Sequence, residues 1–416
     1  MQSWSSPVVP RLPGTGLVPM VSDSSSGGCV RSAAAGPGGT ARIYVCGITP
    51  YDATHIGHAA TYLTFDLLQR AWRDAGLATR YVQNVTDVDD PLLERATATG
   101  VDWTDLAYRE IDLFRHDMAA LRVLPPDAFV GVVEAIDLVI DLVVRLQKAG
   151  AVYQVDDDYY CSIADGTQGN ATPFGSVSRL PEATMLAYFT ERGGDPDRPG
   201  KRNKFDCLLW LAQRPGEPGW ESPFGIGRPG WHVECTAIAL ANLGTDFDVQ
   251  GGGTDLVFPH HEMSAVQASI VTGEPFANAY VHQAMVKLDG DKMSKSQGNL
   301  VFVSKLREAG VDPAAIRLAV LAHHYGTEWD WTDAGLQEAL DRLAAWRAAA
   351  DVRLPVDGVL RVVREALADD LDAPRALRLI DGVTVGAFDD AEDAMGNDAE
   401  SASLRDVVDA LLGVEL

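Results

Sequence analysis

Apolar residues first form an informative pattern at Ala41-Arg42-Ile43-Tyr44-Val45-Cys46, a short β-branched and aromatic run that stops at Gly47-Ile48-Thr49-Pro50. A run of this kind, ended by Gly and Pro, predicts a buried strand leading into a loop. From Thr61 to Asp74 the period changes: Leu63, Leu67, Leu68, Ala71 and Trp72 recur at helical spacing, and Gly76 supplies the stop. Thr79 to Val85 then reads as a second strand. Strand, loop, helix and strand in this order make a βαβ unit, whose usual handedness sets both strands in one parallel sheet. Ligands are expected at the carboxyl ends of those strands, beside Cys46 and Asn84.

Farther along, residues 101–150 predict two helices, Val101 to Leu121 and Phe129 to Ala149, the second carrying the stripe Ile136, Val139, Ile140, Val143 and Leu146. The stretch 151–230 is broken by Gly and Pro and reads as loop-rich, so an insertion of helices and loops is expected over about 101–230. From Thr245 the chain repeats the strand-to-helix pattern: Phe247-Asp248-Val249-Gln250, then Gly251-Gly252-Gly253, then a helix from about His260 to Thr272. This is the second half of the sheet. After Leu300 the pattern is helical, with Asp312-Pro313 and Asp372-Ala373-Pro374 as capped helix starts. Residues 1–40, with the turn-forming runs Ser24-Ser25-Ser26-Gly27-Gly28 and Gly36-Pro37-Gly38-Gly39, predict an irregular or short-stranded lead-in. The expected organisation is a lead-in over 1–40, a Rossmann-like α/β domain with its insertion over 41–300, and an α-helical bundle over 301–416.

Composition narrows the function. With 46% hydrophobic and 22% charged residues the chain is neither fibrous nor wholly disordered. Its five cysteines, Cys29, Cys46, Cys161, Cys207 and Cys235, contain no C-x-x-C pair and read as reduced thiols of a cytoplasmic protein. The formal charge of −25 sets up a field that repels polyanions, which favours small-molecule substrates over nucleic acid. Residues 333–416 hold eight Arg and no Lys against 19 Asp and Glu, a net −11 unsuited to gripping tRNA. Neither an export signal nor an apolar run long enough for a membrane span is found, so no membrane partner is expected.

Two clusters carry candidate chemistry. In Thr54-His55-Ile56-Gly57-His58, between strand and helix, two imidazoles at a helix N-terminus can donate to phosphate oxygens while Gly57 lets a nucleotide approach the backbone. In Lys292-Met293-Ser294-Lys295-Ser296, on a loop flanked by Gly290 and Gly298, two ammonium groups and two hydroxyls suit a pyrophosphate leaving group. Singly, the first could be a pair of surface histidines and the second a solvated loop. Together, in this order and spacing, they are much more specific.

With this pair the sequence resembles the class I aminoacyl-tRNA synthetases. Tyr44-Val45-Cys46-Gly47-Ile48-Thr49, Gly230-Trp231-His232-Val233-Glu234-Cys235 and Phe258-Pro259-His260-His261-Glu262 resemble its cysteinyl branch, over about residues 41–330. The resemblance implies one zinc ion held by Cys46, Cys235 and His260, with the substrate thiolate as fourth ligand. The separations of 189 and 25 residues lie outside any zinc-finger template. It further implies that His55, His58, Lys292 and Lys295 are catalytic. ATP, brought with Mg²⁺, and the cysteinyl-adenylate would be bound by Cys46, Gly47, Ile48, Thr49, Thr61, Asn84, Val85, Thr86, Trp231, Gly253, Thr254, Asp255 and Val286. For Trp231 and Thr61 the plainer role is packing.

Two features depart from the cysteinyl-tRNA synthetases. Ser264 stands where they have a carboxylate ligand, and the helical tail is short and acidic. Both departures resemble the cysteine ligases of mycothiol biosynthesis, as do Met1-Gln2-Ser3-Trp4, Glu191-Arg192-Gly193-Gly194-Asp195-Pro196 and the closing Ala410-Leu411-Leu412-Gly413-Val414-Glu415-Leu416. That resemblance spans nearly the whole chain. It implies an ATP-dependent, AMP-forming ligase acting on L-cysteine, ATP and glucosaminyl-inositol. A cysteinyl-tRNA synthetase with a reduced tail and a non-catalytic synthetase-like regulator are the alternative readings.

Overall fold

The computed structural model describes residues 1–51, 54–164, 172–293, 298–386 and 400–416. Within the lead-in, β1 (Met20–Asp23) and β2 (Gly28–Arg31) form an antiparallel hairpin. The Asp23 carboxylate closes its turn by accepting from the amides of Ser25 and Ser26, and it accepts from the Tyr280 amide at 2.8 Å, fastening the hairpin to the main sheet.

β3 (Thr40–Val45) and β4 (Ala78–Val85) flank α1 (Ile56–Asp74) in the expected βαβ unit. The helix starts five residues before its apolar period becomes visible, because Gly57 and His58 occupy its first turn. Then come α2 (Asp90–Thr99), α3 (Trp103–Ala120) and β5 (Ala128–Gly131). β5 overturns the expected helix from Phe129. It is a parallel edge strand paired with β4, with Phe129 and Gly131 turned inward, and the helix α4 (Ile136–Lys148) begins only after it. Four residues are too few for period 2 and period 3.6 to separate.

The segment read as loop-rich contains β6 (Val152–Val155), β7 (Asp158–Cys161), α5 (Glu182–Glu191), β8 (Cys207–Ala212) and β9 (Gly227–Pro229), the strands forming an antiparallel four-stranded sheet. The chain re-enters the main domain through α6 (Trp231–Leu243), β10 (Phe247–Gly253), α7 (Glu262–Thr272) and β11 (Ala277–Gln283). The triple glycine belongs to β10 rather than to a loop. A Cβ on Gly251 would lie 2.3 Å from the Phe65 ring of α1, so the helix can rest on the strand only where side chains are missing.

The five parallel strands are ordered β11-β10-β3-β4-β5. Chain order reverses between β3 and β10, which places the ligand crevice of such a sheet at the ends of those two strands. Beyond it, β12 (Val286–Leu288), β13 (Asp291–Lys292) and β14 (Trp329–Asp330) make a small sheet. α8 (Val303–Glu308), α9 (Pro313–Leu321), α10 (Asp333–Ala348), α11 (Arg361–Ala368), α12 (Ala373–Thr384) and a last helix, Leu404–Leu412, complete the chain. Asp312 and Asp372 cap α9 and α12 as their sequences predict.

The helical region shares its core with α1. Asp66, fully buried, bonds Arg70 at 2.7 Å and also Arg317 of α9, and Arg70 donates to the Asp409 carbonyl of the last helix at 2.7 Å. Removing one member of such a buried cluster typically costs about 3–5 kcal/mol, because the remaining charges are stranded. Among the described residues no helix is long and apolar enough to cross a membrane.

Candidate functional site

A cavity of about 470 Å³ opens where β3 and β10 end. On leaving β3 the chain passes Cys46 and Gly47, and the Gly47 amide donates to Asn84 Oδ1 at 2.8 Å. A Cβ on Gly47 would stand 1.6 Å from the Asn84 carbonyl oxygen, so only glycine lets the loop lie this close to β4. Asn84 Nδ2 in turn donates to Thr86 Oγ1 at 3.1 Å, and the Thr86 amide to the Ile48 carbonyl at 2.9 Å. Asn84 and Thr86 therefore brace the loop from behind, with Val85 between them in sequence, while Gly47, Ile48 and Thr49 face the cavity.

His55 caps α1. Its Nδ1 accepts from the Gly57 amide at 3.1 Å, which leaves the proton of the neutral ring on Nε2. The His58 ring stacks on it at 3.8 Å, and Thr61 and Tyr62 continue the same helical face along the cavity wall. The helix N-terminus adds partial positive charge, so this end suits an anionic group. The Ile56 amide donates to the Val301 carbonyl at 2.9 Å and the Val303 amide to the Thr54 carbonyl at 3.0 Å. The segment following the lysine loop is thus laced to both sides of His55. Lys292 contributes its backbone to β13; its side chain, and Ser294, Lys295 and Ser296 altogether, lie outside the described residues.

Cys46, on the wall of the same cavity, comes together with Cys235 and His260, which are not themselves among its lining residues. All three are buried, and their ligand atoms lie within 4.8 Å of one another. α6 presents Trp231 and Cys235 from successive turns of one face, and the Trp231 ring packs on that of His260 at 4.6 Å. Burial pushes the Cys46 thiol well above its ordinary value. Burial works on Cys235 in the same direction, but Cys46 and the His260 ring outweigh it and hold that thiol well below. Burial also pushes the neighbouring Glu234 carboxyl well above the usual carboxylate range, with Asp89 and Cys235 adding to it.

His260 Nδ1 lies 3.1 Å from His232 Nδ1, while its Nε2 is buried without a hydrogen-bond partner. Two sulfurs and an orphaned imidazole nitrogen converging in a buried space are what a thiophilic cation requires. This group of residues can hold a metal ion.

Gly253, Asp255 and Val286 also lie on the cavity wall. Thr254, like Asn84, Val85 and Thr86, is absent from that wall among the described residues. Met293 of the lysine cluster lines it as well, and Tyr51, Tyr62, Leu256, Gln283 and Met285 line it without having been singled out by sequence. Tyr62 had a usable signal, since it lies one helical turn beyond His58. Gln283 and Met285 had none. Arg192, at the end of α5, donates to the carbonyls of Asp255, at 2.6 Å, and of Phe258, pinning the approach to His260.

The doubly wound sheet, its crevice and the histidine-capped helix define a class I tRNA synthetase catalytic fold. Mycobacterium tuberculosis methionyl-tRNA synthetase bound by methionyl-adenylate shares it, with a TM-score of 0.62 over 90% of this chain and 92% of that one at 16% identity. Residues 34–341 match the family described as tRNA synthetases class I (C) catalytic domain. L-cysteine:1D-myo-inositol 2-amino-2-deoxy-alpha-D-glucopyranoside ligases of Kribbella flavida and Thermobispora bispora are 58% and 59% identical to the chain, in each case over the whole of both proteins. The chain belongs to the family of these ligases.

Proposed function

We propose that the protein joins L-cysteine to the amine of glucosaminyl-inositol, driven by conversion of ATP to AMP and diphosphate. The observation that carries this reading is a single cavity lined both by Cys46, a member of the buried Cys46–Cys235–His260 group, and by the histidine-capped start of α1. The first suits a thiol, the second a phosphate. The names of the full-length relatives support the acceptor.

Cys46, Cys235 and His260 would hold zinc, which when bound offers its open position to the substrate thiolate and so discriminates against serine. The chain's own residues do the rest. Trp231 closes the wall beside His260, and Asp255 and Thr49 frame the amine and carboxylate of cysteine. In the first step a carboxylate oxygen of cysteine attacks the α-phosphorus of Mg²⁺-bound ATP and diphosphate departs. His55, through its Nε2 proton, and His58 stabilise the phosphates, while Lys292 and Lys295 neutralise the leaving diphosphate. In the second step the sugar amine attacks the activated carbonyl, loses a proton and expels AMP. The free thiols and these substrates fit a cytoplasmic location.

The test is an end-point assay by mass spectrometry, with ATP and cysteine and either glucosaminyl-inositol or tRNA as acceptor. Cysteinyl-glucosaminyl-inositol with AMP is expected. Cysteine on tRNA would overturn the acceptor, and no adenylate at all would overturn the reaction.

A further inference from the structure

Behind the metal-binding group runs a chain of polar contacts that neither motif contains. Cys46 Sγ lies 3.3 Å from His261 Nε2, His261 Nδ1 lies 2.8 Å from His282 Nε2, and His282 Nδ1 lies 2.8 Å from the Ser24 hydroxyl. Both histidines are buried, and among the described residues neither ring bonds a carboxylate, so a second proton on either would be a buried charge without a counter-charge. Each ring therefore carries one proton.

The direction of every bond follows from one end. A sulfur bound to a metal is a thiolate and only accepts, so His261 places its proton on Nε2. Its Nδ1 must then accept from His282 Nε2–H, and His282 Nδ1 must accept in turn. The remaining proton comes from Ser24. The carboxylate of Asp23, beside Ser24 in sequence, is occupied by the Tyr280 amide and by Ser25 and Ser26, and could not donate in any case. Ser24 itself is placed by its own amide, which bonds the Tyr280 carbonyl at 3.0 Å. The hairpin is thereby registered on β11, two residues from His282 in the same strand.

We propose that Ser24 is a positioning residue: its hydroxyl fixes the tautomers of His282 and His261 so that an N–H points at the Cys46 thiolate and stabilises it as a metal ligand. The proposal rests on the reading that Cys46, Cys235 and His260 hold zinc. It gives the N-terminal hairpin a part in the site, 258 residues in sequence from the imidazole it addresses. Partners of this kind typically change metal affinity about 10–100-fold when removed.

The test uses the full-length protein and its S24A and S24T variants. Ser24 is half-buried on a hairpin, so both variants are expected to fold, with thermal melting as the control. In competition with a chromophoric chelator, S24A should bind zinc about 10–100-fold more weakly, and S24T should return to the wild-type affinity. The KM for cysteine should rise in S24A while the KM for ATP stays put. Nitrogen-15 spectra of the wild-type zinc form should show His282 and His261 protonated on Nε2 alone. S24A with wild-type zinc affinity, or either ring protonated on Nδ1, would overturn the role of Ser24 and leave the metal reading standing. A wild-type protein that takes up no zinc would overturn the metal reading, and the proposal with it.

Discussion

The two parts of the site, the helix start proposed for phosphate and the buried group proposed for the thiol, are built by opposite means. At the phosphate end, His55, Gly57, His58, Thr61 and Tyr62 come from eight consecutive residues, and a single helix start orients them through a bond between residues two apart. At the thiol end, Cys46, Cys235 and His260 meet from three distant segments, with His261, His282 and Ser24 behind them. The first end needs little more than a capped helix. The second exists only when the sheet, α6, α7 and the hairpin are all in place, and its groups are buried. A local site can lose one side chain without disturbing its neighbours, whereas a convergent buried site loses the alignment of the others too.

The largest effect should come from Cys235→Ala. Zinc content by elemental analysis should fall from one per chain to near zero, and cysteine-dependent ATP–diphosphate exchange should drop by about 10³-fold or more. Full exchange without metal would sink the zinc assignment. Next, His55→Ala and His58→Ala should each lower exchange by about 10²–10³-fold while zinc content stays at the wild-type level. If either variant lost its zinc, the two ends would not be independent and the contrast between them would fail.

A smaller effect tests the seam. The Tyr62 hydroxyl, on the phosphate-side helix, donates to the Cys46 carbonyl at 3.3 Å. Tyr62→Phe removes one neutral hydrogen bond, worth about 0.5–1.5 kcal/mol, so the KM for cysteine should rise roughly 2–10-fold. An unchanged KM would mean that the two ends are joined through packing alone.

The smallest effect is on stability and depends on pH. Asp117 is fully buried on α3, bonds Arg307 of α8 at 2.6 Å, and burial pushes its carboxyl up to about 6. Between pH 4 and 6 the unfolded chain releases this proton while the folded protein keeps it. Stability from this group is therefore complete at the acid end and lost as pH rises through about 6. Asp117→Asn should flatten that part of the melting-temperature profile, by on the order of 1 kcal/mol. Asp87 and Asp89, pushed up to about 6 by burial as well, should keep their share of the slope. A profile identical to wild type would show that Asp117 contributes nothing to it.

These differences track what could be read before folding. α1 and its flanking strands were legible because their periods are long enough to tell helix from strand, and the histidine cluster because its residues are adjacent. Other assignments failed for want of length or of local pattern. β5 is four residues long, the antiparallel sheet β6–β9 is made of strands of three to six residues, and the triple glycine looks like a loop until Phe65 is seen against it. The expectation that Cys46, Cys235 and His260 hold zinc came from resemblance to relatives, since separations of 189 and 25 residues have no local signature.

By itself, then, the sequence determined the βαβ frame, the paired histidines at the start of α1 and the acidic net charge, because each depends on neighbours along the chain or on composition alone. Tertiary structure decided the thiol end: which two of five cysteines meet a histidine, that His260 keeps a nitrogen without a partner, and that Ser24 reaches His282. Such proximity depends on strand order and helix packing. A chain of hydrogen bonds acquires a direction only after folding has excluded water and left each imidazole one proton to place.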